Sequence, residues 1–505
     1  MKVLKEKTSL WLFSLLVSVF TLVAYNLPFL RHLVAHLEGG FNAAVLLTSA
    51  VLLLLGIDFF CTALLLFAGR KVGKCLLAFF LTGNAVGLYF INEYEVLITD
   101  TMMGNVFHTQ YSEASGFFSP AFVLYVLLLG ILPSLYVLCR KVDYGSWRRF
   151  LGMEGSALLL VLALVLGNMK NWPWVDRHST ELGSLVLPWS YTVNTFRYIE
   201  AERRRNVKEI LLPDPELLTQ TPDVCVLIIG ESARRDHFSL YGYARETNPY
   251  TVRDSVTALP ARSAATYTLA GVRAILEPFR SDALYEILPN FLQRAGAEVL
   301  WYTSNWGEPP VHTEKYYRVK DLKARFPEAD DRYDGILLAG LREDIEAAGD
   351  RKVFAVLHTY TNHGPAYANN YPPEFERFTP VCRTVEMSKA VPEELMNAYD
   401  NSVVYTDYLI HSVIEIVKGM EGRRGCVLFV SDHGESLGEN HLYMHGVPLS
   451  MAPREQLEIP FVVWAPDRTV KNLPEAGQYH VFHSVLDFMG VGGEAFDKEM
   501  SIFNQ

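Results

Sequence analysis

An N-terminal α-helical membrane domain of five spans, followed by a soluble α/β domain with a mostly parallel sheet flanked by helices, is the fold the sequence predicts, on three observations. Charge is divided unevenly: residues 1–170 of the 505 hold 12 Lys+Arg and 9 Asp+Glu, and residues 171–505 hold 33 and 47. Five apolar stretches, each close to the ~20 residues a helix needs to cross a bilayer core, all fall in the first part. Short apolar runs alternate with longer helical patterns in the second. The net charge of −11 and the 50% hydrophobic composition exclude a disordered chain and a nucleic-acid binder built on bulk positive charge. With only 6 cysteines, a small disulfide-stapled domain is excluded too.

The apolar stretches are 9–30, 43–68, 72–91, 118–139 and 153–169. Lys2, Lys5 and Lys7 precede the first, Arg70, Lys71 and Lys74 separate the second and third, and Arg140, Lys141, Arg148 and Arg149 separate the fourth and fifth. The alternate connections carry Arg31 in one and no Lys or Arg between 92 and 115 in the other. The positive-inside rule then places the N-terminus in the cytoplasm and, after five crossings, residues 171–505 outside. A cleaved signal peptide is the rival reading of residues 1–30, but no Ala-x-Ala site follows the run, and cleavage would leave four spans behind the wrong charge pattern. Trp172 and Trp174 suit an outer aromatic belt. Asp58, inside the second span, is either a functional group or a hydrogen-bonded packing carboxyl.

These patterns divide the chain into a transmembrane domain (1–170), an interfacial connector and linker (171–221) broken by Pro213 and Pro215, and a catalytic domain (222–505) opening at Pro222. Strands buried on both faces are expected at 224–229, 298–302, 353–357, 426–430 and 461–464, with helices at 283–295 and 393–418. Chemistry gathers where such strands end: Glu231 after the first, His358 and His363 after the third, Asp432 and His433 after the fourth. In open α/β sheets those ends meet at the site. Singly, a carboxylate there is more often a cap and a histidine a satisfied polar group. Together they form an oxygen and imidazole metal site that favours zinc or manganese. Thr266 and Thr268, just before a helical pattern, offer a nucleophile that the helix dipole and a metal would activate, or simply a helix cap.

The segments Ile229-Gly-Glu-Ser-Ala-Arg-Arg-Asp-His-Phe-Ser-Leu-Tyr-Gly-Tyr243, Asn362-His-Gly-Pro-Ala-Tyr367, Ser431-Asp-His-Gly-Glu-Ser-Leu-Gly-Glu-Asn440 and Tyr443-Met-His-Gly446 resemble the bacterial phosphoethanolamine transferases. That family modifies lipid A and lipopolysaccharide, includes enzymes of polymyxin resistance, and has a catalytic domain of the alkaline phosphatase and sulfatase superfamily. The resemblance covers nearly the whole chain. It implies zinc ligands at Glu231, Asp432 and His433, and Thr268 as nucleophile and further ligand, because the second member of the family's Thr-x-Thr pair reacts. His363 and His445 match residues that hold the phosphoryl group or shuttle protons. Asn105, Thr109 and Glu113 match an Asn-x3-Thr-x3-Glu pattern that binds the phosphoethanolamine moiety, a spacing that also puts the three on one face of a helix.

By the same resemblance the donor is phosphatidylethanolamine and the acceptor lipid A, lipopolysaccharide core or another envelope glycan. The enzyme is expected as a monomer in the bacterial inner membrane with its catalytic domain periplasmic, binding membrane lipids and no nucleic acid. Two departures stand out. Ala390 replaces the partner of Cys382 in a family disulfide, so no disulfides are expected, and Ala264-Ala265-Thr266 replaces the usual Cys-Gly-Thr lead-in. A phosphoglycerol transferase of the lipoteichoic acid synthase type would share the five spans, the threonine and the Asp-His pair. Asn105, Thr109, Glu113 and the His-rich motifs weigh against it. An inactive membrane scaffold would have to retain the metal ligands without using them.

Overall fold

A computed structural model describes residues 7–37, 40–109, 114, 117–205, 209–281 and 283–504. Two compact units divide at Tyr198 and Ile199, with a short stretch around Thr109 grouped with the second.

The first unit is helical. Its longer helices are α1 (Leu10–Tyr25), α2 (Leu27–His36), α3 (Phe41–Gly69), α4 (Lys71–Tyr94), α5 (Asp100–His108), α6 (Pro120–Cys139) and α7 (Trp147–Gly167), and the division at Tyr198 falls within a further helix, α8 (Trp189–Arg205). Four of these, α3, α4, α6 and α7, are long and apolar enough to cross a membrane. The first expected span is instead the pair α1 and α2, bent by 62°. Asn26 makes the break. Its buried Nδ2 donates to Thr21 O at 3.2 Å and to Leu187 O at 2.8 Å, and its Oδ1 accepts from Leu187 N at 2.9 Å. A backbone interrupted inside an apolar bundle needs such internal partners.

A second irregularity lies in α6, where a π-turn runs over Val126–Ile131. Pro133 has no N–H to give Leu129, the carbonyl four residues back, and Tyr25 Oη donates to Leu129 O at 2.5 Å instead. Asp58 is buried in α3, where its Oδ1 accepts from Trp189 Nε1 at 2.9 Å and its Oδ2 makes no hydrogen bond.

The second unit is built on a sheet of eight strands among the described residues: β1 (Val224–Gly230), β2 (Thr257–Arg262), β3 (Glu298–Thr303), β4 (Tyr316–Arg318), β5 (Val353–His358), β6 (Gly425–Ser431), β7 (Glu458–Trp464) and β8 (Ala476–Gly477), in the order β8-β2-β7-β6-β1-β5-β3-β4. From β6 to β4 all neighbours are parallel, while β7 runs antiparallel to both β6 and β2. β1, β5 and β6 are fully buried runs rich in Val, Ile and Leu, as strands covered on both faces must be. Their register aligns Ile229 with His358 and Gly230 with Ser431, so the three chains leave the sheet side by side.

Two elements differ from expectation. Strand β2 carries Pro260, which normally argues against a paired strand. It survives because Pro260 faces Pro460, and the pairings of β2 with β8 and β7 with β6 begin one residue later, at Ala261 and Phe461. The helix expected over 283–295 is confined to Leu288–Arg294. Pro289 starts it, and before it Tyr285 bridges Ile210 in strand fashion. The longer helices of this unit are α9 (Thr268–Leu276) after β2, α10 (Pro392–Lys418) after β5, and α11 (His480–Met489) near the end. All six cysteines are free thiols, and Cys225 and Cys426 are register partners inside the sheet.

Candidate active site

Glu231 leaves β1 with its carboxylate buried and surrounded by donors. Ser232 Oγ donates to Oε1 at 2.7 Å, Asn305 Nδ2 to Oε2 at 2.7 Å, and Thr268 Oγ1 to Oε2 at 3.3 Å. Thr268 is the first residue of α9, and Tyr267 is the cap residue. Neither threonine hydroxyl caps the helix, because Thr266 Oγ1 donates to Val447 O at 2.7 Å. One turn into α9, Gly271 touches the other half of the site: a Cβ there would stand 2.2 Å from Asp432 O. Only a residue without a side chain lets α9 approach the Asp432 backbone so closely.

From β6, Asp432 Oδ1 accepts from Ser232 N at 3.0 Å and His433 N at 2.7 Å. Its Oδ2 lies 3.3 Å from His433 Nε2, which is 3.5 Å from Glu231 Oε1. Asp432 Oδ2 and His433 Nε2 are fully buried and make no hydrogen bond. Such orphaned polar atoms are costly in a protein interior. His433 Nδ1 donates to Gly434 O at 2.8 Å, which leaves Nε2 as a lone pair aimed at the two carboxylates. Ligand atoms of Glu231, His433 and His445 all fall within 4.8 Å of one another.

The electrostatics agree. Burial pushes Asp432 up to about 6 and His433 down to about 4. Burial and His363 bring His445 down to about 3. A low-dielectric interior opposes charge on acids and bases alike, and a divalent cation supplies the charge that lets the carboxylates ionise there while the imidazoles stay neutral. The residues present therefore fit a metal ion.

His363 and His445 flank this cluster, with ring centroids 5.3 Å apart. His445 Nδ1 donates to Glu435 Oε2 at 2.7 Å, and His363 Nδ1 to Gly364 O at 2.5 Å, with the Tyr360 ring stacked on it at 4.8 Å. Glu435, buried and pushed up to about 7 by that burial, also accepts from Tyr367 Oη at 2.5 Å. His358 is buried at the end of β5 with neither ring nitrogen hydrogen-bonded, its Nδ1 3.5 Å from Glu308 Oε2. Burial opposes charge on both, but their mutual attraction prevails, holding His358 above and Glu308 below their ordinary values.

The structure thus brings Glu231, Thr268, Asp432, His433, His363 and His445 together. Asn105 lies on α5, and Thr109 just beyond its last residue. The expected helical stripe is therefore not continuous through Thr109, His and Thr being weak helix formers. Glu113 lies outside the described residues. Sequence reasoning gave no role to Asn305, which follows β3 at the same sheet edge, or to Glu435, although the latter sits in the Ser431–Glu435 stretch. The position after β3 was the available signal for Asn305.

Residues 223–491 match the sulfatase family model, which places the second unit in the alkaline phosphatase and sulfatase superfamily. Residues 57–203, mostly in the helical unit, match the family model for phosphoethanolamine transferase EptA/EptB. The chain is 36% identical over 417 residues to the phosphoethanolamine transferase EptA of Helicobacter pylori, covering 80% of this chain and 79% of that one. It is 32% identical over 484 residues to the phosphatidylethanolamine transferase Mcr-1 of Escherichia coli, covering 90% and 89%. The integral membrane lipooligosaccharide phosphoethanolamine transferase A (EptA) of Neisseria meningitidis matches 99% of both chains with a TM-score of 0.88 at 25% identity. The chain belongs to the phosphoethanolamine transferases.

Proposed function

We propose that this enzyme moves phosphoethanolamine from phosphatidylethanolamine to lipid A or the lipopolysaccharide core through a phospho-Thr268 intermediate, from the bacterial inner membrane with its second unit in the periplasm. The observation that carries the reading is the Thr268 hydroxyl, at a helix N-terminus and 3.3 Å from Glu231, beside the orphaned Asp432 and His433 atoms. Relatives support the acceptor class: one is the Kdo(2)-lipid A phosphoethanolamine 7''-transferase of Escherichia coli, 24% identical over 475 residues.

In the first step Thr268 Oγ forms a bond to phosphorus as the bond from phosphorus to the diacylglycerol oxygen breaks. The threonine proton leaves, and the diacylglycerol oxygen gains one. In the second, an acceptor phosphate or hydroxyl oxygen bonds to phosphorus and Thr268 Oγ departs, recovering its proton. Glu231, Asp432, His433 and Thr268 would hold a metal ion, zinc by preference, which supplies Lewis acidity toward the threonine and phosphoryl oxygens. His363 and His445 carry their Nδ1 hydrogens on Gly364 O and Glu435, so each offers an Nε2 lone pair to take and return protons. Asn105, Thr109 and Glu113 recognise the donor head group, Glu113 by its charge.

Mass spectrometry of envelope glycolipids from cells with and without the protein tests the reading: an added phosphoethanolamine group is expected only with it. Protein incubated with phosphatidylethanolamine should yield a peptide modified on Thr268. Modification of Thr266 instead would overturn the assignment.

A further inference from the structure

Beside the metal cluster, the loop after β3 walls a cleft of about 780 Å³ whose lining includes Asn305, Trp306, Glu308, Tyr316 and Arg318. This cleft adjoins the nucleophile. Asn305 is bonded to Glu231, and a Cβ on Gly307 (φ +90°) would stand 3.5 Å from Thr268 Cγ2 and 3.4 Å from Leu269 N. The next residue, Glu308, has a side chain only 9% exposed. Tyr316 Oη donates to its Oε1, while Oε2 makes no hydrogen bond and lies 3.5 Å from His358 Nδ1. His358 is thus its charge partner but makes no bond of hydrogen-bond geometry to it, so a buried carboxylate oxygen keeps a lone pair that a further donor in the cleft can engage.

In the phospho-Thr268 enzyme the ethanolamine nitrogen is four bonds from phosphorus, a reach of roughly 5 Å, so its ammonium must come to rest close to Thr268. We propose that Glu308, with Trp306 lining the same cleft, holds the ethanolamine ammonium of the phospho-enzyme and selects for an amine-bearing transferred group. The inference rests on the phospho-Thr268 reading. A primary ammonium brings three donors and a positive charge to Oε2, and an indole face adds a cation–π contact. A phosphoglycerol head group offers no cation for either. No chemical step changes: Glu308 binds and orients, and takes no proton.

The test compares two soluble phosphodiesters on the full-length, metal-loaded protein in detergent: p-nitrophenyl phosphoethanolamine and propyl p-nitrophenyl phosphate, which has the same shape without the charge. Wild type should prefer the ammonium ester. Glu308→Gln should lower kcat/KM on that ester by about 10- to 100-fold and leave the propyl ester within about twofold. Glu308→Asp, which keeps the charge, should retain part of the preference and provides the comparison if the Gln variant folds poorly. Equal loss on both esters would make Glu308 a support for His358 and overturn the proposal, as would no change on either. A wild type inactive on both, with no adduct on Thr268, would fail the underlying reading, a result distinct from loss of selectivity alone.

Discussion

Gly271→Ala tests whether Thr268 is placed by backbone contact. The added methyl would stand 2.2 Å from Asp432 O and 2.8 Å from its carbonyl carbon, both backbone atoms that no rotamer change can move. Ordinary contact begins near 3.4 Å, so α9 or the Asp432 loop must retreat by about 1 Å. Overpacking of this kind costs about 1 to 3 kcal/mol, less than a domain's usual ~5 to 15 kcal/mol, so the fold should persist. The displacement falls on the distance between Thr268 and the Glu231–Asp432 pair, where a shift of about 1 Å can cost on the order of 100-fold in rate. Turnover of p-nitrophenyl phosphoethanolamine, metal content and melting temperature should be measured on one preparation. A variant that folds but has lost about two orders of magnitude in kcat/KM is expected. Wild-type turnover in that variant would mean that the contact does not position Thr268.

Thr268→Ala should abolish transfer, whereas Thr266→Ala, losing one hydrogen bond to Val447 worth about 1 kcal/mol, should keep appreciable activity; the adduct mapped by mass spectrometry checks both. Asp432→Asn and Glu231→Gln should each lower bound metal as well as rate, since an amide is a much weaker ligand, and full occupancy in both would reassign these carboxylates. Chelation of the wild type should lower its melting temperature, by the equivalent of about 4 kcal/mol if the free ion stood ~1,000-fold above its Kd. Asp407 provides a pH test. Burial raises its carboxyl from 3.8 to about 6 despite bonds from Thr251, Tyr250 and Asn248. The folded chain therefore binds that proton more tightly, and its stabilising effect, complete below the unfolded value, is lost as pH rises through 6. Asp407→Asn cannot ionise and should gain on wild type by about 2 kcal/mol between pH 4 and 7; melting curves with a constant difference across that range would contradict this.

The central strands were legible because strands covered on both faces cannot alternate in polarity. β1, β5 and β6 appear as continuous apolar runs, and Glu231, His363, Asp432 and His433 follow them closely. Other features depend on partners distant in sequence. Strand β2 was hidden by Pro260, whose tolerance depends on Pro460, 200 residues away. The bend at Asn26 was invisible in an unbroken apolar stretch, because its amide is satisfied by Leu187, 161 residues on. Asn305 and Glu308 lie in a loop with no local pattern, and only the placement of β3 beside β5 carries them to the site. The helical spacing of Asn105 and Thr109 was read correctly as a number, but α5 stops at His108.

The hydrogen bonds that fix His433, His363 and His445 also set an order of events in the enzyme's assembly. Each ring commits Nδ1 to an acceptor supplied by its own fold, Gly434 O, Gly364 O or Glu435, so its orientation does not wait for an ion. The seat is finished when the chain has folded. Burial also keeps the His433 and His445 imidazoles neutral, the form in which a ring nitrogen can serve as a ligand. If an ion binds there, stripping it would leave the imidazoles already aimed, so a chelated preparation should regain activity on metal addition without being refolded.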